Sequence, residues 1–109
     1  NRKNRRINWI IGLEYNSTIN QIKTLTNCIL KYLKESDDFV VDENFKAFVR
    51  LDKFNDSSID ILIYCFTSTN DWEKYLEIKE NLANYIKNNV EELDLSFAFP
   101  SQTIYLEKN

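Results

Sequence analysis

The chain has 109 residues, 43% of them hydrophobic, which suits one folded domain with a single core. Its net charge is −3, it contains no histidine, and its only cysteines are Cys28 and Cys65. This composition excludes catalysis that depends on histidine and a zinc site built from histidine, and the single glycine excludes a glycine-rich phosphate loop.

The chain has no methionine, so we expect a piece of a longer protein. It contains no apolar run long enough to cross a bilayer. The two cysteines are expected to be buried free thiols in a reducing compartment. Basic residues are concentrated at the start, in Arg2, Lys3, Arg5 and Arg6. Such an arm could touch phosphates, lipid head groups or an acidic neighbouring domain. Of these possibilities and a plain solvated linker, we favour the linker, which would consist of residues 1–6.

The first elements in chain order are a strand and an amphipathic helix. Ile7 to Tyr15 alternate between apolar and other residues, which predicts a strand. Thr18 followed by Gln21 forms a capping-box pattern that opens a helix to about Ser36. Its apolar stripe is predicted to be Ile19, Ile22, Leu25, Cys28, Ile29, Tyr32 and Leu33.

A β-hairpin is predicted next. Phe39 to Val41 is interpreted as an apolar anchor within the loop. Phe45 to Asp52 and Ile59 to Thr67 alternate as strands, and the turn cluster 55–58 joins them.

The last elements are a second helix and two short strands. Asn70 is predicted to cap the helix, with Glu73 in the capping-box position, and the helix to end near Val90. Its inner stripe is predicted to be Trp72, Leu76, Lys79, Leu82, Ala83, Ile86 and Val90, with Trp72 as a lid on the core rather than a ligand-stacking residue. Leu93 to Phe99 predicts a fourth strand and, beyond Pro100, Thr103 to Leu106 a fifth.

This order predicts an α+β fold, a ferredoxin-like βαββαβ sandwich over residues 7–100 with an extra C-terminal strand in residues 101–109. The first and third strands are expected to be central and both helices to cover one face. The other face would carry Phe48, Leu62, Tyr64 and Phe66. These side chains are too apolar for a wet surface, so we expect that face to pack against something.

Neither catalysis nor nucleic-acid binding is predicted. The carboxylates fall in predicted loops and at helix ends, so we expect no enzyme activity, no cofactor and no metal. RNA-recognition modules of this fold stack bases on exposed aromatics, and Trp9, Tyr64 and Phe66 are candidates. However, the basic glycine-aromatic motif is absent and the body of the chain is acidic, so we expect no nucleic-acid partner.

Five segments carry a resemblance to a known family: 5–8, 11–16, 54–59, 69–72 and 97–106, the last reading FAFPSQTIYL. In this order they resemble the cytoplasmic domain of the small-conductance mechanosensitive channel (MscS) family. One departure is Asp94, where the family often has glycine after the residue corresponding to Leu93.

The resemblance implies a cytoplasmic domain of a homo-oligomeric, tension-gated ion channel of the bacterial inner membrane that responds to osmotic stress. Seven copies would form a cage below the pore through which ions and small solutes pass. Thr103, Ile104, Tyr105 and Leu106 would form a barrel strand, and Arg5 and Arg6 would mark the junction with an upstream β domain. A membrane domain of the same chain would lie before that.

The alternative from another class is a ferredoxin-like, small-molecule-binding regulatory domain. It would need a polar pocket at a domain interface. A ligand screen by thermal shift separates the two hypotheses, because a specific ligand raises the melting temperature.

Overall fold

The computed structural model describes residues 4–98, which form an antiparallel sheet with two helices. The elements are β1 (Arg6–Leu13), α1 (Ile19–Glu35), β2 (Phe39–Val40), β3 (Phe48–Phe54), β4 (Ile59–Thr67) and α2 (Trp72–Glu92). The α+β, ferredoxin-like architecture predicted from the sequence is confirmed.

The centre of the sheet is β4. It pairs along its whole length with β1, from Arg6 opposite Phe66 to Leu13 opposite Ile59, and on its other edge with β3. The pairing of β3 contains a bulge between Leu51 and Lys53. The third predicted strand, β4, is therefore central, whereas β1, also predicted to be central, has a second neighbour within residues 4–98 only at the bridge of Leu13 with Phe97.

The predicted fourth strand is reduced, within the described residues, to a bridge beside β1. Phe97 pairs with Leu13, and the amide of Ala98 donates to the carbonyl of Gly12 at 2.9 Å. The prediction that this strand starts at Leu93 is wrong, because Leu93 caps α2.

The loop anchor at Phe39 is also corrected. Phe39 and Val40 form the short strand β2, which pairs with Thr67 and Phe66 at the end of β4. Two residues are too few to show a strand periodicity in the sequence. The pairing forms because β4 extends beyond β3 and leaves an edge free there.

Helix α1 begins as the sequence predicts. The amide of Gln21 donates to the Thr18 hydroxyl at 3.1 Å, and the amide of Thr18 donates to Gln21 Oε1 at 2.9 Å. The buried residues of α1 are Ile22, Leu25, Ile29 and Leu33, whereas Ile19, placed in the predicted stripe, is 57% exposed.

Helix α2 begins one residue later than predicted. Its N-cap is Asp71, whose carboxylate accepts the amide of Lys74 at 2.9 Å, instead of Asn70. Its buried stripe recurs every four residues and consists of Ile78, Leu82, Ile86 and Val90. Trp72, Leu76 and Ala83 were assigned to this stripe and are exposed, so these three assignments are wrong.

One core lies between the helices and the sheet. The stripes of α1 and α2 pack with the inward residues of the strands, among them Ile7, Leu13, Val49, Ile61 and Ile63. All of these inward side chains are at most 6% exposed. The two helices thus cover the same face of the sheet, as the chain order predicts.

Asp94 ends α2 in a left-handed conformation, with φ of 60°. The amide of Leu95 donates to the carbonyl of Val90 at 2.9 Å, and that of Asp94 to Glu91 at 3.1 Å, which is the Schellman pattern. The position therefore has the geometry that favours glycine, and its carboxylate lies at the negative end of the helix dipole.

We expect Asp94→Gly to raise the free energy of unfolding by about 1 kcal/mol, because it removes left-handed strain and an unfavourable charge. Chemical denaturation measures the change. Asp94→Asn is the control, since it removes the charge and keeps the side chain, and a smaller gain is expected. A loss of stability in Asp94→Gly would contradict this account of the helix end.

Candidate functional site

Within residues 4–98, apolar side chains of β1, β3 and β4 lie on the side of the sheet that the helices leave uncovered. We call this surface the open face: Ile10, Phe48, Leu62, Tyr64 and Phe66. Ile10 is 52% and Phe48 42% exposed, and the residues from β4 are half-buried. The prediction of an apolar surface opposite the helices is confirmed, and Ile10 is a further member that was not predicted.

The aromatic rings of the open face form a continuous row across the strands. The ring centroids lie 6.0 Å apart between Phe48 and Tyr64 and 5.6 Å apart between Tyr64 and Phe66. Phe45, in the loop before β3, extends the row with an edge contact to Phe66 at 5.1 Å. Interlocked rings present a firm surface, and such aromatic surfaces are typical of protein interfaces.

Two arginines lie beside the apolar side chains of the open face, which also carries Asp60, the partner of Gly12 in the β1–β4 register. The guanidinium carbon of Arg6 lies 5.8 Å from the centroid of Tyr64, and Arg50 is the partner of Leu62 in the β3–β4 register. Two arginines beside an apolar row fit a partner surface that is apolar and carries carboxylates.

A second surface lies where the chain enters β1. Arg5 stacks beside two aromatic side chains of α2, with its guanidinium carbon 5.0 Å from the centroid of Trp72 and 5.7 Å from that of Tyr75. Lys79 Nζ lies 5.3 Å from the same Tyr75 ring. We call Arg5, Trp72, Tyr75 and Lys79 the basic-aromatic cluster. It lines a surface hollow of about 640 Å³ together with Asn4, Arg6 and Asn70.

The backbone at Arg5 is paired rather than free. Its amide donates to the carbonyl of Thr69 at 3.3 Å, and its carbonyl accepts the amide of Thr67 at 2.8 Å. Arg6 is the first residue of β1, although it was predicted to be the last residue of the linker. Arg5 and Arg6, predicted as the junction with an upstream domain, thus lie at the edge of the folded domain.

Trp72 is not a lid on the core. Its side chain is 55% exposed and contacts Arg5 and Tyr75. The other predicted interface, Thr103, Ile104, Tyr105 and Leu106, lies outside the described residues, as does Pro100.

Within residues 4–98, two titratable groups have raised pKa values. Burial raises the pKa of the Cys65 thiol to about 12, so this thiol is protonated and unreactive at neutral pH. The pKa of Tyr32 is raised by burial and, secondarily, by Asp38 and by Tyr85, on which Tyr32 stacks at 4.2 Å. Cys28 and Cys65 are both free thiols.

Across residues 4–98, no three side chains among cysteines, aspartates and glutamates are grouped so that they could hold a metal ion. In the same part of the chain, neither helix is long and apolar enough to cross a membrane.

Residues 7–97 match the family model described as the C-terminal domain of the mechanosensitive ion channel MscS. An MscS family protein of Aquifex aeolicus is 38% identical over 107 residues, which is 98% of this chain and 28% of that protein. The low conductance mechanosensitive channel YnaI of Escherichia coli is 33% identical over 104 residues, which is 95% of this chain and 29% of that protein. The chain thus spans less than a third of the length of these relatives.

The fold is shared with a solved channel structure. The closed state of Helicobacter pylori MscS superposes with a TM-score of 0.69 at 21% sequence identity, over 92% of this chain and 37% of that one.

Proposed function

The chain belongs to the MscS family of mechanosensitive ion channels, and on that premise we propose that it is the cytoplasmic domain of a homo-oligomeric channel opened by membrane tension. The observation that carries the proposal is the match to the family's C-terminal domain over residues 7–97. The domain would form part of a cage below the pore, on the cytoplasmic side of a bacterial inner membrane. Ions and small solutes would pass through that cage under osmotic stress.

The open face supports the self-association that this proposal needs. An aromatic row flanked by Arg6 and Arg50 is suited to burial against another subunit or another domain of the same protein. We further propose a heptamer, with Arg5 and Arg6 following an upstream β domain and a membrane domain. Thr103, Ile104, Tyr105 and Leu106 would form the barrel strand between subunits.

The function is tested on the full-length parent protein in membrane patches. Expressed in bacterial cells without mechanosensitive channels of their own, the parent is expected to give currents that open with suction and to improve survival of osmotic downshock. Empty-vector cells are the control. Patches that contain the protein but show no tension-dependent current would contradict the proposal.

We expect Ile10→Glu to weaken the assembled full-length channel, because it places a charge in the apolar open face. In the isolated chain the same change should lower the free energy of unfolding by only about 1 kcal/mol or less, since Ile10 is 52% exposed. Detergent-solubilised size measurement and denaturation compare the two. The control is Asn88→Glu on the exposed side of α2, and equal assembly of both variants would exclude the open face as an interface.

The C-terminal segment is tested by deleting residues 101–109. In the full-length parent we expect a weaker oligomer, because the proposed barrel strands would be lost. In the isolated chain we expect an almost unchanged melting temperature, because residues between Ile7 and Leu95 already form a buried core within the described part of the chain, residues 4–98. If the deletion unfolds the isolated chain and leaves the full-length oligomer intact, this segment belongs to the domain's own core.

A further inference from the structure

Arg5 is held in place while part of its guanidinium stays available. Its Nε donates to the carbonyl of Asn70 at 3.0 Å, and its plane lies beside Trp72, 5.0 Å from the ring centroid. Its backbone is fixed by the pairing with Thr67 and Thr69. Its Nη groups make no hydrogen bond to any residue between 4 and 98. An arginine fixed at Nε presents these remaining N–H groups without further loss of side-chain freedom.

A second cation lies beside the same aromatic side chain. Lys79 Nζ is 5.3 Å and the Arg5 guanidinium carbon 5.7 Å from the centroid of Tyr75. Tyr75 is itself anchored, because its hydroxyl donates to the carbonyl of Arg6 at 3.0 Å. Two positive charges from distant parts of the sequence therefore share one ring.

No carboxylate within residues 4–98 neutralises these two cations. The ion pairs found there are Lys74 with Glu77 and Lys87 with Glu91, both on α2, and no acidic side chain lines the hollow. The chain as a whole carries a charge of −3, so a general excess of basic residues does not explain the cluster. The ring offsets part of the repulsion between the cations, and an anion bound between them would remove more of it.

We propose that this hollow of about 640 Å³ is a binding site for a phosphate group. The Nη groups of Arg5 would donate to two phosphate oxygens, as the planar fork of arginine does in bidentate pairs, and Lys79 would supply the second charge. The half-exposed indole of Trp72 forms a wall of the site. The phosphate is carried either by a small soluble molecule or by an anionic lipid head group. This site does not depend on the channel function proposed above.

The probe for the soluble source is inorganic phosphate, titrated into the 109-residue chain at constant ionic strength and followed by NMR. We expect saturable shifts at the Arg5 Nε–H and at the Trp72 indole N–H, with the Trp9 indole as internal reference. Acetate at the same concentration is expected to give much smaller shifts, because it carries one charge and two oxygens. The proposal would be overturned if inorganic phosphate gave no saturable shifts and the chain also did not bind the lipid vesicles described below.

The charge of Lys79 is tested by Lys79→Gln, which should weaken phosphate binding about tenfold, as expected for the loss of a charge-assisted hydrogen bond. Arg5→Lys keeps the charge and removes the fork, and should also weaken binding. Lys87→Gln is the matched control on α2, with the same change in net charge, and should bind within about twofold of the unchanged chain. Equal weakening by Lys79→Gln and Lys87→Gln would overturn the site in favour of general electrostatics.

The lipid source is tested by cosedimentation with phosphatidylcholine vesicles, with and without phosphatidic acid. Binding that requires phosphatidic acid and is reduced in Lys79→Gln would assign the site to a lipid head group. Binding of inorganic phosphate without vesicle binding would assign it to a soluble phosphate. Either result supports the site, and vesicle binding that Lys79→Gln leaves unchanged, without binding of inorganic phosphate, overturns it.

Discussion

Ile63→Ala is expected to lower the free energy of unfolding by about 2–5 kcal/mol, the largest stability effect that we predict for a single substitution. Ile63 lies in the middle of β4, is 0% exposed, and faces the helices between its partners Trp9 and Val49. Shortening it removes buried apolar surface and leaves a cavity that the paired strands on both sides cannot close. Urea denaturation monitored by circular dichroism measures the change.

Ile10→Ala is the matched control for Ile63, because the same side chain is shortened on the opposite face of the sheet. Ile10 is 52% exposed, so its truncation should cost less than about 1 kcal/mol in the isolated chain. Trp72→Ala is expected to be similarly mild, since this side chain lies outside the core and contacts Arg5 and Tyr75. A loss at Trp72 as large as that at Ile63 would show that Trp72 belongs to the core.

Thr67→Val is expected to lower the free energy of unfolding by about 1–3 kcal/mol, although the two side chains have nearly the same shape. The Thr67 hydroxyl is 0% exposed, donates towards the carbonyl of Thr69 at 2.9 Å, and accepts the amide of Arg5 at 3.3 Å. In the valine variant, the carbonyl of Thr69 and the amide of Arg5 would each lose the hydrogen bond to this hydroxyl. The substitution would also loosen Arg5, so the Arg5 Nε–H signal should shift as stability falls.

The control for Thr67 is Thr26→Val. Thr26 is half-buried, but its hydroxyl donates to the carbonyl of Lys23 at 3.1 Å in a solvent-exposed hydrogen bond, where water replaces the lost partner. Its effect on the free energy of unfolding should stay within about 0.5 kcal/mol. If both threonines respond equally, the hydroxyl of Thr67 does not hold the start of β1 to the end of β4.

Local patterns in the sequence correctly predicted the elements that are determined by neighbouring residues along the chain. The alternation from Ile59 to Thr67 gave the bounds of β4 without error, and the capping box at Thr18 gave the start of α1. The order of these elements then predicted the central position of β4 and the common face of the helices, because connections of this kind have few permitted topologies. The resemblance to the MscS family likewise came from short segments in a fixed order, and the match over residues 7–97 agrees with it.

The first half of the α2 stripe was predicted wrongly because the first turns contain large apolar residues that do not reach the core. Leu82, Ile86 and Val90 were assigned correctly, but starting the stripe at Trp72 and Leu76 missed Ile78. Nothing in the sequence near Trp72 reveals that Arg5 covers its ring. The bulge in β3 and the pairing of β2 were missed for the same reason, since both depend on β4.

The sequence by itself determined the class of fold, the bounds of β4 and the apolar character of the open face, because residue periodicity and turn chemistry act over a few neighbouring residues. Only the tertiary structure decided which exposed aromatic residues meet which cations. Arg5 and Trp72 are 67 positions apart, and they meet because β1 pairs with β4, whose end leads directly into α2. The sheet register therefore created the basic-aromatic cluster, which no local pattern in the sequence indicates.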